Sequence, residues 1–257
     1  MDAIVNLSGK VGIITGIAND KSIAYGAAQA CRRAGASLAL TYQNEKTRQY
    51  TQGLADGLGC EIFQLVDVTV PGSLEAAFEA IDKKYGKLDF AIHSMAFAPA
   101  NDLHGRVVDC SAEGFQKSMD ISVHSFIRMA KLAEPLMVEG GALVTMTYLG
   151  ADRVVENYGI MGMCKAALES GTRYLAHELG GKNIRVYAVS PGPMLTRAAS
   201  GISHFDDLMK QAADRSPLHR LATPEQVGNM TAFLVSEAAA GMTGSTIYVD
   251  AGYHIEA

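Results

Sequence analysis

The stretch KVGIITGIANDKSIAYGAAQACRRAGASLALTYQ, from Lys10 to Gln43, changes pattern twice. KVGIIT is a continuous apolar run, SIAYGAAQACRRAG has apolar and small residues at helical spacing, and ASLALTY is continuous and apolar again. Runs that lack a polar face suit parallel strands covered on both sides. Strand, helix, strand is therefore the opening unit. The same alternation continues through EIFQLV (61–66), LDFAIHS (88–94), GALVTMTY (141–148), IRVYAVS (184–190) and STIYVD (245–250), with helical segments such as SLEAAFEAIDKKYG and SFIRMAKLAEPLM between them.

Seven strands alternating with helices predict an α/β, doubly wound Rossmann fold with a seven-stranded parallel sheet. Thr223, Pro224 and Gln226 supply an N-cap, a first-turn proline and a capping-box partner, so a late helix is expected to open at TPEQVG. With 257 residues, 48% of them apolar and 19% charged, one domain spanning 1–257 is expected. The net charge of -5, with no cluster of Lys and Arg among aromatics, argues against nucleic acid as a partner. MDAIVNLSGK has neither a basic leader nor an apolar export stretch, and no run of about 18 apolar residues occurs, so a cytoplasmic protein outside the membrane is expected. The four cysteines lack a CxxC pair and read as reduced thiols. The histidines are dispersed without HExxH, and no metal is expected.

MLTRAASGISHFDDLMKQAADRSP, 194–217, is a long insertion after the sixth strand. In a doubly wound fold it lies above the carboxyl edge of the sheet, where ligands bind. It reads either as a helical substrate lid or as an ordinary connecting helix with a loose loop.

Ligand signals fall at strand ends. After the first strand comes TGIANDKSIAYG, in which Gly16 permits a tight turn and Ser22 and Ile23 open a helix whose N–H groups favour a pyrophosphate. Gln43 ends the second strand, a usual place for contact with an adenosine ribose. Asp67 and Val68 follow the third strand; Asp67 is either an acceptor for an adenine amine or a helix cap. HSMAFAP, His93 to Pro99, follows the fourth strand with small residues that suit close approach to a cofactor, or form a simple loop.

The reactive end is YLGADRVVENYGIMGMCK, with Tyr148 and Tyr158 ten positions apart and Lys165 seven further on. Seven helical residues return to nearly the same face about 10 Å along. The lysine can then hold the ribose of a nicotinamide nucleotide lying between it and the phenol, while its charge lowers the tyrosine pKa. The spacing reads as an oxyanion-stabilising site, against the alternative that each residue is simply packing or surface.

Taken with SIAYG, TYQN, HS-x-x-FAP, Tyr-x6-Lys with a tyrosine ten before, and P-x-x-T-x-AASGI, the chain resembles the short-chain dehydrogenase/reductase superfamily, within it the enoyl-acyl carrier protein reductases of bacterial type II fatty acid synthesis. It departs from the family's pattern at Pro191, Met95, Ala96 and Arg197. The resemblance implies an NADH-dependent reduction of a trans-2-enoyl thioester, with Tyr158 on the enolate oxygen, Lys165 on the ribose and Tyr148 shaping the pocket or assisting at the thioester. It implies cofactor contacts at Gly16, Ser22, Ile23, Gln43, Asp67, Val68, Met95, Lys165, Met194, Leu195, Thr196, Arg197 and Ala198, and Ala98 near the acyl group. Acyl carrier protein as partner and a homotetramer are implied as well. A carbonyl-reducing relative and a non-catalytic nucleotide sensor are the alternatives. NADH is expected over NADPH because Gln43, Asn44 and Glu45 present no cation to a 2′-phosphate, although Lys46 and Arg48 lie close behind. Lys210, Arg215 and Arg220 are candidate carrier-docking residues, or ordinary surface.

Overall fold

The computed structural model describes residues 4–196 and 205–256. The chain opens as β1 (Val11–Ile14), α1 (Ile23–Arg33), β2 (Ser37–Tyr42), α2 (Glu45–Gly57), β3 (Ile62–Leu65), α3 (Ser73–Tyr85) and β4 (Phe90–His93). It continues through α4 (Ala100–His104), α5 (Ala112–Met119), a π-helical turn (Asp120–His124), α6 (Ser125–Ala133), β5 (Gly141–Met146), α7 (Gly159–Leu179) and β6 (Ile184–Pro191). It closes with α8 (Phe205–Arg215), α9 (Pro224–Val235), β7 (Thr246–Val249) and α10 (Tyr253–Glu256).

One sheet of seven strands carries the order β3-β2-β1-β4-β5-β6-β7, and every pairing is parallel. The chain winds outward from β1 to β3, returns to place β4 beside β1, then winds outward the other way. Connections leaving β1 and β4 diverge at that switch, which opens a crevice at the carboxyl ends of the two strands.

Continuous strand hydrophobicity is explained by the two faces. Ile13, Ala91 and Leu143 join a core with α3, α6 and α7. Their sequence neighbours Ile14, Ile92 and Val144 join a second core with α1 and α9. Alternate residues of a strand point to opposite faces, so both sets must be apolar.

The late helix begins as expected: Thr223 caps Gln226 N–H, Gln226 reaches back to Thr223, and Pro224 stands in the first turn. α9 crosses α1 at Gly26 and Gly228. A Cβ at Gly228 would lie 2.2 Å from Gly26 O, and one at Gly26 would lie 2.3 Å from Pro224 O. The glycine of SIAYG thus serves helix packing. Below it, the first turn of α1 is left pointing at the crevice.

Candidate active site

Gly16 leaves β1 with φ +90, and a Cβ there would stand 2.0 Å from Ser94 O. Only glycine lets the loops after β1 and β4 run this close. Thr15 ties the same two strands, its N–H donating to Ile92 O at 3.0 Å and its hydroxyl to the same oxygen at 3.2 Å. Ser22 precedes α1 in extended conformation, but its side chain makes no cap bond to the helix. Its Oγ instead accepts from the N–H groups of Ala18 (3.0 Å) and Asn19 (3.1 Å), which shapes the preceding loop. With no side chain over it, the first turn at Ile23 keeps the donors that suit a phosphate oxygen.

Gln43 is exposed just past β2. Asn44 caps α2 through Thr47 N–H at 2.9 Å. Arg48 lies 3.6 Å from Glu45 and 5.5 Å over the ring of Tyr42, the last residue of β2. Asp67 is neither free nor a helix cap: Oδ1 accepts from Thr69 N–H at 2.9 Å and Thr69 Oγ1 at 2.7 Å, while the residue capping α3 is Gly72. The carboxylate therefore bends the chain after β3. Val68 is buried, and its carbonyl accepts from Arg128 at 2.9 Å.

Met95 and Ala98, both half-buried, pack against the same core that contains Tyr148 and Tyr158. Met194 is buried on the opposite face of the sheet, Leu195 is exposed, and Thr196 donates its N–H to Met194 O at 2.8 Å. Arg197 and Ala198 lie outside the described residues. Of the insertion at 194–217, α8 is the described helix, and Arg215 at its end bonds Glu256 O.

Tyr158 is the N-cap residue of α7, where the helix entry was expected. Its ring meets that of Tyr148 edge to face at 4.9 Å. Lys165, two turns on, is buried and donates from Nζ to Met146 O at 2.7 Å. Among the described residues this is one hydrogen bond, which leaves two of its three protons for a ligand. Burial holds its ammonium down to about 8. The expectation that the lysine lowers the tyrosine pKa is not met. Burial is the largest influence on both phenols and raises both, with Tyr148 adding to the rise at Tyr158. Desolvation decides the direction, so both hydroxyls stay protonated donors at neutral pH. Tyr148 Oη is buried with no hydrogen-bond partner among the described residues.

A family model described as Enoyl-(Acyl carrier protein) reductase matches residues 16–254, from the turn at Gly16 to the last helix. The chain belongs to this family. The Rickettsia felis enoyl-[acyl-carrier-protein] reductase [NADH] FabI is 46% identical over 249 residues, covering 97% of this chain and 96% of that one. A crystal structure of the Anaplasma phagocytophilum reductase in complex with NAD superposes with TM-score 0.93 at 44% identity, covering 97% of this chain and 95% of that one. The Bacillus cereus reductase, solved with NADP+ and an indole naphthyridinone, gives TM-score 0.94 at 42% identity, covering 97% and 98%.

Within the family frame, several residues round the tyrosines carry no local signal in the sequence. Asp250 and Tyr253, from the turn after β7, lie close enough to raise the Tyr148 pKa. Glu169 accepts from Thr147 Oγ1 at 2.7 Å and fixes the end of β5. Of the three proposed docking cations, Arg215 is engaged with Glu256 and Arg220 bonds Gln226 Oε1 at 3.0 Å, whereas Lys210 is exposed.

Proposed function

We propose that the chain is an NADH-dependent enoyl-acyl carrier protein reductase, saturating a trans-2-enoyl thioester during fatty acid elongation. The observation that carries this reading is the buried group of Tyr148, Tyr158 and Lys165, with an orphaned phenol oxygen and two spare ammonium protons beside the crevice. A buried hydroxyl without a partner costs about 1–3 kcal/mol. Its partner is best sought in a ligand.

The residues present fit a dinucleotide. Gly16, Ser22 and Ile23 would hold the pyrophosphate at the open turn of α1, Gln43 the adenosine ribose, and Asp67 and Val68 the adenine. Met95 and the run Met194, Leu195, Thr196, Arg197 and Ala198 would flank the nicotinamide end. When bound, NADH supplies the hydride delivered to C3 of the enoyl group.

Lys165 orients the nicotinamide ribose with its two unused protons. Tyr158, a protonated donor held at the head of α7, hydrogen-bonds the thioester oxygen as it becomes an enolate. The interaction strengthens as charge develops, which is the condition for catalysis rather than mere binding. C2 then takes a proton to complete the saturated chain. Tyr148 shapes the pocket from the side or assists at the thioester, and Ala98 lies near the acyl group. Both tyrosine side chains are buried, which keeps water from the developing charge.

Acyl carrier protein is the partner that delivers the substrate, with the exposed Lys210 as the docking cation left free by Arg215 and Arg220. No helix among the described residues is long and apolar enough to cross a membrane; a cytoplasmic reaction is part of the proposal. Assembly is proposed as a homotetramer. Met163 and Phe115, both partly exposed, line one surface hollow, Tyr174 is 69% exposed three turns further along α7, and β7 is an edge strand. Light scattering at micromolar concentration should show four chains; a monomer would contradict the assembly.

Purified protein should oxidise NADH with crotonyl thioester and leave acetoacetyl thioester untouched. Turnover of the ketone with none of the enoyl substrate would overturn the reading.

A further inference from the structure

His93 ends β4, has no exposed surface, and is used by none of the steps above. Its Nδ1 lies 3.1 Å from Thr145 Oγ1, its register partner on β5, and its Nε2 lies 2.7 Å from Ser125 Oγ. Ser125 donates its own hydroxyl proton to Ile121 O at 2.6 Å. With that proton committed, Ser125 Oγ can only accept, so Nε2 carries the imidazole hydrogen and Nδ1 accepts from Thr145. Burial, with the charge of nearby Lys165 adding to it, holds the ring down to about 3, which keeps it neutral.

Ile121 lies where the helix widens. Ser125 N–H donates to Asp120 O, five residues back, within the π-helical turn Asp120–His124. In an ordinary α-helical turn Ser125 N–H would bond Ile121 O alongside the hydroxyl, since a carbonyl oxygen accepts two hydrogen bonds. Such insertions are infrequent and recur at functional sites. The same turn carries Ser122, fully buried, whose Oγ accepts from Phe97 N–H at 3.0 Å and donates to Phe97 O at 3.2 Å. One hydroxyl thus holds both backbone groups of Phe97, next to Ala98 and two residues from Met95.

We propose that His93 is a positioning residue for the acyl site: through Ser125 it locks the π-helical turn, and through that turn Ser122 clamps the Phe97 loop at the spacing the enoyl substrate needs. The proposal rests on the reading of the site as an enoyl reductase. β4 and β5 lie at the centre of the sheet, so a strut from them adds a fixed hydrogen-bonded anchor to a loop whose Met95 and Ala98 pack against the core.

The two sides of the imidazole can be tested separately. Glutamine places an amide donor near the Nε2 position, and asparagine places its amide near Nδ1. His93→Gln should keep the Ser125 bond and His93→Asn should lose it while keeping Thr145. The expected result is a rise of about tenfold in the KM for crotonyl thioester in His93→Asn and Ser125→Ala, with kcat within about threefold and near wild-type values restored in His93→Gln. Amide hydrogen exchange at Phe97 in the ligand-free protein should quicken in the same two variants and return in the glutamine variant. If Ser125→Ala is folded and shows unchanged exchange at Phe97, the strut is refuted whatever the substrate. If exchange responds but crotonyl KM does not, the loop is not an acyl-site element and the proposal fails. Absence of enoyl turnover in the wild type would fall on the assigned reaction instead, with the exchange result still reporting on the strut.

Discussion

The Tyr148 and Tyr158 rings meet with centroids 4.9 Å apart and planes inclined at 66°. Edge-to-face contact sets each phenol by the other, so neither hydroxyl swings freely. Tyr158 is also locked at the head of a helix, and a Cβ at Gly150 would come within 2.5 Å of its ring. A donor this constrained is arranged before substrate arrives, which is what electrostatic stabilisation of an enolate requires.

Replacing Tyr158 by Phe should leave the ring packing and remove the donor. One oxyanion donor is commonly worth about 2.7–4 kcal/mol, or two to three orders of magnitude in kcat. NADH affinity should change little. Steady-state kinetics with crotonyl thioester and NADH titration by fluorescence give both quantities, and unimpaired turnover would remove Tyr158 from the mechanism.

Tyr148→Phe has the opposite sign for stability. Removing a buried hydroxyl that lacks a partner should stabilise the ligand-free protein by about 1–3 kcal/mol. Urea unfolding would show a raised midpoint at unchanged slope. Thioester reduction should weaken in the same variant. A destabilised Tyr148→Phe protein would mean the hydroxyl is already satisfied without ligand.

Lys165 connects activity to pH. Its pKa falls from 10.5 to about 8 in the folded chain because burial disfavours the charge. Between these values the unfolded chain binds more protons than the folded one, so stability rises with pH through that window and the full cost of burying the charge is present below about 8. Ribose binding responds in the other direction, since loss of the ammonium charge weakens its hydrogen bonds. NADH affinity should therefore fall above pH about 8, an inflection absent from Lys165→Met, which binds weakly throughout. An inflection unchanged in that variant would assign the titration elsewhere.

Cofactor choice is expected to turn on Gln43. Of the two cations just behind it, Arg48 is paired with Glu45 and lies over the Tyr42 ring, and Lys46 is exposed in the first turn of α2. NADH should have the higher kcat/KM on one enoyl thioester. Gln43→Arg should raise kcat/KM for NADPH by about tenfold or more by supplying a bidentate partner for the 2′-phosphate. Preference for NADPH in the wild type would show that another cation reads the phosphate.

The sequence by itself determined the alternation of strands and helices, because hydrophobic periodicity is a local property and both faces of a parallel sheet must be apolar. It also located Tyr148, Tyr158 and Lys165 on the strand end and helix that carry them, since each position follows from element boundaries and helical repeat. Only the tertiary structure decided what surrounds those groups. Asp67 Oδ1 is bonded to Thr69, Ser22 Oγ accepts from its own loop, and the Tyr148 hydroxyl meets no partner among the described residues. The direction of the Tyr158 pKa reversed for the same reason: desolvation depends on chain segments brought together from distant positions, whereas the charge of Lys165 could be read from the helix alone. The link from His93 to Ser125 spans 32 residues and passes through a π-helical turn. No repeat of three or four residues announces such a turn, because its hydrogen bonds reach five residues back and its side chains are held by groups distant in sequence.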